Sequence, residues 1–381
     1  MAPSSSGDQP QDSIDSIDRE ILKLAEDRNA LVHALCELDG AGLVGRVAAA
    51  SARIDALVEK HCAEKNCAEK NCAEENFENN HAGETPGISQ EAKANLLRHL
   101  SSVCLQTVHA MRSAYLGPMH SYSHLAAIKY FGDASTLTPV ASIPAVFESV
   151  TRGDTSAGIV PIENSTDGRV VDTLGMFVRQ DAQICGEVLI PIHHNLLSRT
   201  ARENITEVQS KPQALSQCRS WLASQLPGAT LVPVSSTAAA AKMAAEKPGV
   251  AAVASIEAGR QYGLDVIDAN IEDNANNVTR FAVIGKEQPS PTGNDKTAIL
   301  FQVNHEPGAL AGAMMIFKDH GLNLTWIESF PMPEKPSEYL FFVELTGHRE
   351  EQAVREAIAC LEKIAQRLTV LGSYPIGMLV S

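Results

Sequence analysis

The stretch SAGIVPIENSTDGRV, residues 156–170, decides the fold of the central part of the chain. A short apolar run ends in the polar letters ENST, which predicts a buried strand that opens into a polar turn. Similar apolar runs occur around it (AYLG, ATLVPV and GVAAVAS), and they alternate with helical patterns at residues 122–131 and 212–226. Strands that alternate with helices over about 170 residues indicate an α/β domain large enough to form two lobes.

Three other segments of this domain place polar residues where a strand or a helix begins. GPMHSYSHLAAIKYF has Ser121 at the expected start of a helix, and SSTAAAAKM has Ser236 in the same position. NNVTRFAVIG, residues 276–285, is an Asn-rich turn that leads into a strand. Capping and turn chemistry explain each segment alone. Their occurrence in one α/β domain favours a site for a small anionic ligand at strand ends and helix N-termini.

Residues 13–112 are predicted to form an all-helical bundle, because no strand pattern interrupts them. An apolar stripe with steps of three and four runs along the first helix and consists of Ile14, Ile17, Ile21, Leu24, Leu31, Leu35 and Leu38. A second copy of the chain is expected to complete the bundle. We expect a disordered tail over residues 1–12. The repeat at residues 62–76 is interpreted as a low-complexity insert, since its cysteines match no zinc spacing.

The C-terminal part of the chain has a different order of elements. A polar linker at residues 288–295 precedes a pattern of strand, helix, two strands, helix and strand over residues 296–378. This βαββαβ order is typical of small modules that sense a ligand or form dimers.

Composition excludes several classes of partner. The 381 residues carry a formal charge of −15, which argues against nucleic acid and against an anionic membrane surface. We find no apolar run of the roughly 18 residues that a membrane span needs. The polar, acidic N-terminus is unlike a signal peptide, so a cytoplasmic location is expected.

The motifs carry a family resemblance when they are taken in order. Five motifs resemble prephenate dehydratase, in the order GPMHSYSHLAA, VPIENS, KPQALSQC, SSTAAA and NVTRF. The module that follows them resembles the ACT domain that regulates this enzyme. Together with the helical segment, the chain is similar to the bifunctional P-protein family, in which chorismate mutase is fused to prephenate dehydratase. The resemblance implies a dehydratase domain over residues 113–287, with two lobes like those of periplasmic binding proteins, and an ACT domain over residues 296–378.

The resemblance also implies site residues. Thr279 is expected to be the catalytic residue: its hydroxyl would stabilise the departing ring oxygen as prephenate becomes phenylpyruvate, water and carbon dioxide. Arg280 is expected either to bind a substrate carboxylate or to form a structural salt bridge. The other predicted substrate contacts are Phe281, Glu163, Asn164, Ser165, Ser121 and Ser236. Glu163 would be a general acid only if burial raised its pKa. Aromatisation and loss of carbon dioxide drive the reaction, so neither a metal nor another cofactor is expected.

The mutase-like segment departs from the family pattern. Arg28 remains on the apolar stripe, where it would bind a carboxylate of the dianionic substrate. Gln11 and Asp39 replace expected cations, and uncharged or apolar residues replace other polar ones at Ala48, Ser51, Ala52 and Val108. Each missing charge-assisted hydrogen bond removes about 1.5 to 3 kcal/mol. We therefore predict weak or absent mutase activity and a bundle retained for dimerisation; a fully bifunctional enzyme is the alternative.

The ACT-like segment implies an effector. EPGALAG matches the effector loop of the family at Gly308, Ala309 and Leu310, and IESFP matches its IESRP motif at Glu328 and Ser329. Phe330 replaces the arginine of that motif, so feedback by L-phenylalanine is expected with reduced strength.

Two alternative functions and one open assembly state follow from the same residues. The α/β domain could be a non-catalytic amino-acid sensor, or the enzyme could prefer arogenate to prephenate. The assembly is expected to be a homodimer or a homotetramer.

Overall fold

The computed structural model describes residues 8–38, 88–108, 111–132, 135–331 and 338–377, and six helical positions between residues 47 and 60. The repeat at residues 62–76 lies outside the described residues, as do four positions of the mutase-like segment, Asp39, Ala48, Ser51 and Ala52.

The helices are named in chain order. They are α1 (Asp8–Leu38), α2 (Gln90–Val108), α3 (Tyr122–Phe131), α4 (Ile143–Arg152), α5 (Val171–Arg179), α6 (Pro212–Gln217), α7 (Arg219–Gln225), α8 (Thr237–Glu246), α9 (Ile256–Tyr262), α10 (Ala309–Asp319) and α11 (Gln352–Glu362). The strands are β1 (Arg112–Leu116), β2 (Thr136–Val140), β3 (Ala157–Asn164), β4 (Gly168–Arg169), β5 (Gln183–Pro191), β6 (Asn195–Ser198), β7 (Glu207–Ser210), β8 (Thr230–Pro233), β9 (Val250–Ala254), β10 (Asp265–Asp268), β11 (Val278–Gly285), β12 (Asp295–Val303), β13 (Leu324–Pro331), β14 (Tyr339–Thr346) and β15 (Ala365–Pro375).

The first helix starts earlier than the sequence predicts. α1 begins at Asp8, inside the segment expected to be a tail over residues 1–12. Pro10 is compatible with this start because the N–H groups of a first helical turn have no partner within the helix. α1 packs along α2, where Arg28 donates to Ser101 and Thr107 donates to Asn29.

A mixed sheet forms the first lobe, in the order β2-β1-β3-β11-β5, with β4 paired to β3. β1 runs parallel to β2 and β3, whereas β11 runs antiparallel between β3 and β5. A second mixed sheet, β10-β6-β9-β7-β8, forms the other lobe. The chain leaves the first sheet after β5 and returns to it with β11, so the two segments between the lobes meet at the adjacent ends of these strands. The α/β class expected for this part is therefore observed.

β11 separates two hydrophobic cores. Phe281 and Val283 belong to the core that includes α3 and Leu105 of α2. Ala282 and Ile284 belong to the core that includes residues of β12, β14 and β15. Because side chains alternate along a strand, Thr279 shares the face of Phe281, and Arg280 shares the face of Ala282.

The C-terminal residues form a four-stranded antiparallel sheet in the order β13-β14-β12-β15, and the elements follow one another as strand, helix, strand, strand, helix, strand. β15 lies against β5 of the first lobe. The contact is close at Gly372, where a Cβ atom would lie 2.1 Å from the carbonyl oxygen of Ile184. Glycine therefore permits the two sheets to meet. Among the described residues, we find no helix long and apolar enough to cross a membrane.

Candidate active site

The centre of the site is a cross-strand pair at the end of β11. Thr279 lies opposite Asn164, the last residue of β3. The side-chain Nδ2 of Asn164 donates a hydrogen bond of 2.8 Å to Oγ1 of Thr279. An oxygen that accepts this bond keeps its own O–H as a donor. The pair therefore presents the Thr279 hydroxyl as a hydrogen-bond donor.

Asn164 is fixed by four hydrogen bonds. Its Oδ1 accepts from the backbone N–H groups of Thr166 and Asp167, at 3.0 and 3.1 Å. Its Nδ2 donates to Oδ1 of Asn277 at 2.8 Å as well as to Thr279. The amide is buried, and each of its donor and acceptor positions has a partner. Its orientation is therefore determined by the turn that follows β3.

The hydrogen-bond network continues from Asn277 into the second lobe. Nδ2 of Asn277 donates to Oε1 of Gln217 at 3.1 Å, and Nε2 of Gln217 donates to Oδ2 of Asp167 at 2.8 Å. Oε1 of Gln217 also lies 2.8 Å from Nε2 of His194. Since Gln217 is the last residue of α6, the network joins the two lobes beside Thr279.

His194 has a defined tautomer in this network. Oε1 of Gln217 is an acceptor, so Nε2 of His194 carries the proton. The other ring nitrogen, Nδ1, is buried, and none of the residues that the structure describes forms a hydrogen bond with it. Burial lowers the pKa of His194 below its ordinary value of 6.5, although the bond to Gln217 opposes this effect. His194 therefore stays neutral at physiological pH.

The start of α3 reaches the same end of the sheet. The hydroxyl of Ser121 accepts from the backbone N–H of His124 at 3.3 Å and donates to the carbonyl of Leu116 at 3.2 Å. The Tyr122 hydroxyl donates to the carbonyl oxygen of His193, next to His194. Burial raises the pKa of Tyr122 well above its usual value, and Glu257 adds to the effect, so the phenol keeps its proton.

Ser165 holds the turn before Thr279. Its hydroxyl accepts from the backbone N–H of Val278 at 2.9 Å and donates to the carbonyl of Asn276 at 3.1 Å. Its backbone N–H also donates to the carbonyl of Val278, at 2.9 Å. All of these bonds are to backbone groups, so Ser165 stabilises the turn that precedes Thr279. Its contact with substrate stays a prediction.

Arg280 and Glu163 lie on the other face of the sheet. Nε of Arg280 donates to Glu163 at 3.0 Å, and Nη1 lies 2.7 Å from both carboxylate oxygens of Glu344. Burial alone would lower the pKa of Arg280, but Glu344 and its neighbours raise it, so the guanidinium remains charged. Of the two roles considered for Arg280, the structure shows the ion pair. Glu163 accepts from this cation, so the geometry does not support its predicted role as a general acid.

Phe281 is a core residue. It is 2 % exposed and packs in the hydrophobic core beneath α3, which includes Tyr115 and Val283. The register of β11 directs this ring into the interior, and its contact with substrate stays a prediction.

The remaining predicted residues lie outside the Thr279 network. Ser236 precedes α8 of the second lobe, and its hydroxyl accepts from the backbone N–H of Ala239 at 3.0 Å. Arg28 donates to Ser101 Oγ at 2.6 Å and lies 3.5 Å from the carbonyl oxygen of Leu100. Gly308 adopts a left-handed conformation before α10, which Ala309 and Leu310 begin. Glu328 and Ser329 lie on β13, where Glu328 pairs with Arg169 at 2.5 Å.

Sequence reasoning missed four members of the network: Asp167, Asn277, Gln217 and His194. Gln217 belongs to the quoted motif KPQALSQC, and Asn277 belongs to the Asn-rich turn, so the motifs contained both residues without indicating that they meet. His194 follows β5 with no motif of its own. Within the described residues, no group of three or more His, Cys, Asp or Glu side chains is arranged to hold a metal ion.

Comparison with known proteins decides the family. A family model described as prephenate dehydratase matches residues 113–289. A bifunctional chorismate mutase/prephenate dehydratase from Aquifex aeolicus (strain VF5) is 40% identical over 367 residues, which cover 96% of this chain and 97% of the relative. The chain belongs to the bifunctional chorismate mutase/prephenate dehydratase family.

Solved structures resemble this member of the bifunctional family over about 70% of its length. Prephenate dehydratase of Arthrobacter aurescens in complex with L-Phe superposes with a TM-score of 0.65 at 33% identity, covering 70% of this chain and 90% of that one. The prephenate dehydratase of Staphylococcus aureus subsp. aureus Mu50 gives a TM-score of 0.62 at 31% identity, covering 69% of this chain and 100% of that one.

Proposed function

We propose that this chain is a prephenate dehydratase, which converts prephenate to phenylpyruvate, water and carbon dioxide. The observation that carries this proposal is the hydrogen bond from Asn164 to Thr279. Because Thr279 accepts this bond, its own O–H can donate a hydrogen bond to substrate at the strand end where the two lobes meet. Family membership and the match to the prephenate dehydratase model support the same assignment.

The chemistry requires a donor of this kind. The C–O bond to the ring hydroxyl and the C–C bond to the ring carboxylate both break. The electron pair of the carboxylate bond completes the aromatic ring as carbon dioxide leaves, and the C–O pair leaves with the oxygen, which takes up one proton from solvent to become water. Hydroxide is a poor leaving group, so charge develops on the departing oxygen in the transition state. A hydroxyl placed against that oxygen stabilises the transition state more than the ground state, which is what raises turnover.

Two features support binding of a dicarboxylate despite the acidic chain. Helix α3 and helix α8 begin at serine-capped N-termini, Ser121 and Ser236, and the N-terminal end of a helix attracts anions. We propose that these helix starts, one from each lobe, receive the carboxylates of prephenate. Arogenate, whose amino group would call for an acidic partner, stays the alternative; two carboxylates lie in or beside the network around Thr279, Asp167 bound by Gln217 and Glu272 bound by the backbone N–H of His194.

Substitution of Thr279 tests the assignment. Thr279→Val removes the donor, and it is expected to lower kcat for phenylpyruvate formation by about a hundredfold, whereas Thr279→Ser keeps a hydroxyl and retains most of the activity. Thr138→Val, on exposed β2 of the same sheet, is the matched control and should leave kcat unchanged. If purified protein bound prephenate and returned it unchanged, the sensor alternative would replace the dehydratase.

We propose that the mutase-like segment has weak or no activity. Arg28 is occupied by Ser101 and the carbonyl oxygen of Leu100, both on α2, and so serves the packing of α1 on α2. Purified protein supplied with chorismate alone is expected to give little or no phenylpyruvate, while prephenate gives the product. Phenylpyruvate from both substrates at comparable rates would establish the bifunctional alternative.

We propose that α1 forms the interface between two copies of the chain. Along its apolar stripe, Ile14, Ile17, Ile21, Leu24 and Leu31 are 51%, 56%, 49%, 60% and 66% exposed. A stripe of this length on one helix is typical of a buried contact. The double substitution Ile17→Glu and Leu24→Glu should halve the mass measured by sedimentation, whereas Val171→Glu, equally exposed on α5, should not. An unchanged mass would contradict this interface; a mass of four chains before substitution would assign the tetramer.

We also propose that L-phenylalanine acts on the C-terminal domain. The described effector candidates occupy the start of α10 and strand β13, and a relative with this fold was solved in complex with L-Phe. Inhibition is expected to be weak because Phe330 replaces an arginine. Phe330→Arg should strengthen inhibition of phenylpyruvate formation; unchanged sensitivity would contradict the role of this position.

A further inference from the structure

Two neighbouring cross-strand pairs lie at the end of β11 and serve different sides of the sheet. Thr279 lies opposite Asn164, and Arg280 lies opposite Glu163. The first pair faces the network between the lobes, while the second faces the C-terminal domain. The peptide bond between Thr279 and Arg280 thus connects the candidate catalytic hydroxyl directly to an ion pair of the other domain.

Arg280 belongs to a buried cluster of charges, which we name the interdomain cluster. Its members are Arg280, Glu163, Glu187, Lys296, Glu344 and Tyr374. Nη1 of Arg280 lies 3.2 Å from Glu187 as well as 2.7 Å from Glu344, and Nζ of Lys296 lies 2.9 Å from Glu187. Glu344 is 1 % exposed, so its carboxylate has no solvent to replace Arg280. The cluster takes residues from both domains.

A second contact joins Arg280 to strand β13. The guanidinium carbon lies 4.6 Å from the centre of the Trp326 ring, a distance at which a cation is attracted to an aromatic face. Two residues further along β13, Glu328 pairs with Arg169 of β4, and β4 is paired with Glu163 of β3. The strand that carries the effector candidates therefore touches the catalytic sheet at two places, one of them next to Thr279.

These contacts have a mechanical consequence. Arg280 follows Thr279 directly in the chain. Its side chain contacts Glu344 and Trp326 of the C-terminal domain. A displacement of β14 or β13 relative to the first sheet must move Arg280 or break its ion pairs. Movement of Arg280 changes the position of the Thr279 hydroxyl, and a misplacement of about 1 Å can reduce turnover by about a hundredfold.

We propose that Arg280 is a positioning residue for Thr279, through which the C-terminal domain controls turnover. It touches no substrate: its ion pair with Glu344 holds the end of β11 in the geometry that Asn164 and Thr279 require. The proposal rests on the dehydratase function argued above and adds the route by which the regulatory domain acts on it. A merely structural ion pair would stabilise the fold without changing kcat of the folded protein.

Steady-state kinetics of the full chain with prephenate separate these two roles. Glu344→Gln keeps the shape of the side chain but removes its charge, and Arg280→Lys keeps a cation on the strand. We expect Glu344→Gln to lower kcat by about tenfold with KM changed less than about twofold, and Arg280→Lys to retain more activity than Arg280→Met. Asp295→Asn is the matched control, because it also removes the charge of a buried carboxylate, but Asp295 accepts its hydrogen bonds from Thr292 and Gly293 and is not a member of the interdomain cluster.

Each outcome decides the matter. Unchanged kcat in folded Glu344→Gln and Arg280→Lys overturns the proposal, as does an equal loss of kcat in Asp295→Asn. If Arg280→Met does not fold, the Glu344→Gln and Arg280→Lys variants still give the answer, with near-ultraviolet circular dichroism as the check of folding. Absence of turnover by the unaltered chain overturns the dehydratase assignment itself, and this inference with it.

Discussion

The Nδ2 atom of Asn164 lies 2.8 Å from Oγ1 of Thr279, and the same nitrogen lies 2.8 Å from Oδ1 of Asn277. Its two hydrogens are therefore divided between the candidate catalytic hydroxyl and the turn that precedes it. Thr279 therefore accepts a hydrogen bond from the protein, and its own O–H can donate a hydrogen bond to a ligand bound between the lobes.

Asn164→Asp tests this direction. A carboxylate cannot donate to Thr279; it would accept the threonine proton and withdraw it from the substrate. We expect kcat to fall by about a hundredfold, measured as phenylpyruvate formed from prephenate. Asn274→Asp is the control, because Asn274 acts only as an acceptor, from the backbone N–H of Asn276 at 3.0 Å. Equal kcat values for the two variants would show that hydrogen-bond donation by Thr279 does not determine turnover.

Ser165→Ala distinguishes a backbone role from a substrate contact. Loss of the hydroxyl removes two hydrogen bonds, to the N–H of Val278 and the carbonyl of Asn276; since both are exposed and water can replace them in part, the free energy of unfolding should fall by about 0.5 to 1.5 kcal/mol. KM for prephenate should stay within about twofold. Ser224→Ala, which removes one exposed bond to Trp221, should change stability by less than about 0.5 kcal/mol. A raised KM for prephenate with an unchanged free energy of unfolding would instead support the predicted contact between Ser165 and substrate.

His194 predicts a loss of stability in mild acid. Because burial lowers its pKa below the ordinary 6.5, the unfolded chain binds a proton more readily than the folded chain. The stability that depends on neutral His194 is fully present above pH 6.5. It is lost as the pH falls from 6.5 through the pKa of His194 in the folded chain. His124, whose pKa burial also lowers, acts in the same direction.

The variant His194→Gln isolates this effect. Glutamine can still donate to Gln217 but does not titrate, so its free energy of unfolding should depend less on pH between about pH 5 and pH 7. Denaturant titrations at several pH values measure the difference from the unaltered chain. A difference that does not vary with pH would mean that His194 is protonated equally in both states.

Gly372→Ala is expected to disturb the contact between domains. The new Cβ would lie 2.1 Å from the carbonyl oxygen of Ile184, and neither backbone can move away easily. Overpacking of this kind typically costs about 1 to 3 kcal/mol in the free energy of unfolding. Gly312→Ala on α10 meets no atom within 4 Å and should instead raise stability, by about 0.5 to 1 kcal/mol. Equal effects of the two substitutions on thermal unfolding would contradict the close approach.

The sequence predicted much of the fold because its patterns are local. The apolar run before Glu163 and the serine caps at Ser121 and Ser236 act within a few residues, and the structure has a strand and two helices there. The start of α1 was placed late because Pro10 was taken with the polar tail, although a first turn accepts proline.

The site was predicted less completely, because its geometry depends on distant segments. Thr279 and Asn164 came from motifs, and their pairing follows from strand register, which one sequence does not specify. The two roles of Arg280 stayed open for the same reason: the letters TRF do not reveal that a second sheet covers one face of β11. The core position of Phe281 likewise depends on that register, because the register decides which face of β11 the ring occupies.

The position of Arg280 between two domains also limits how such genes can be recombined. A dehydratase segment joined to a foreign C-terminal segment would keep the contacts of Arg280 with Glu163 and Glu187 but lose its nearest carboxylate, Glu344, and loss of a partner by a buried charge is unfavourable. Chimeras that carry an acidic residue at the β14 position of Glu344 are therefore expected to be more stable than those that lack it.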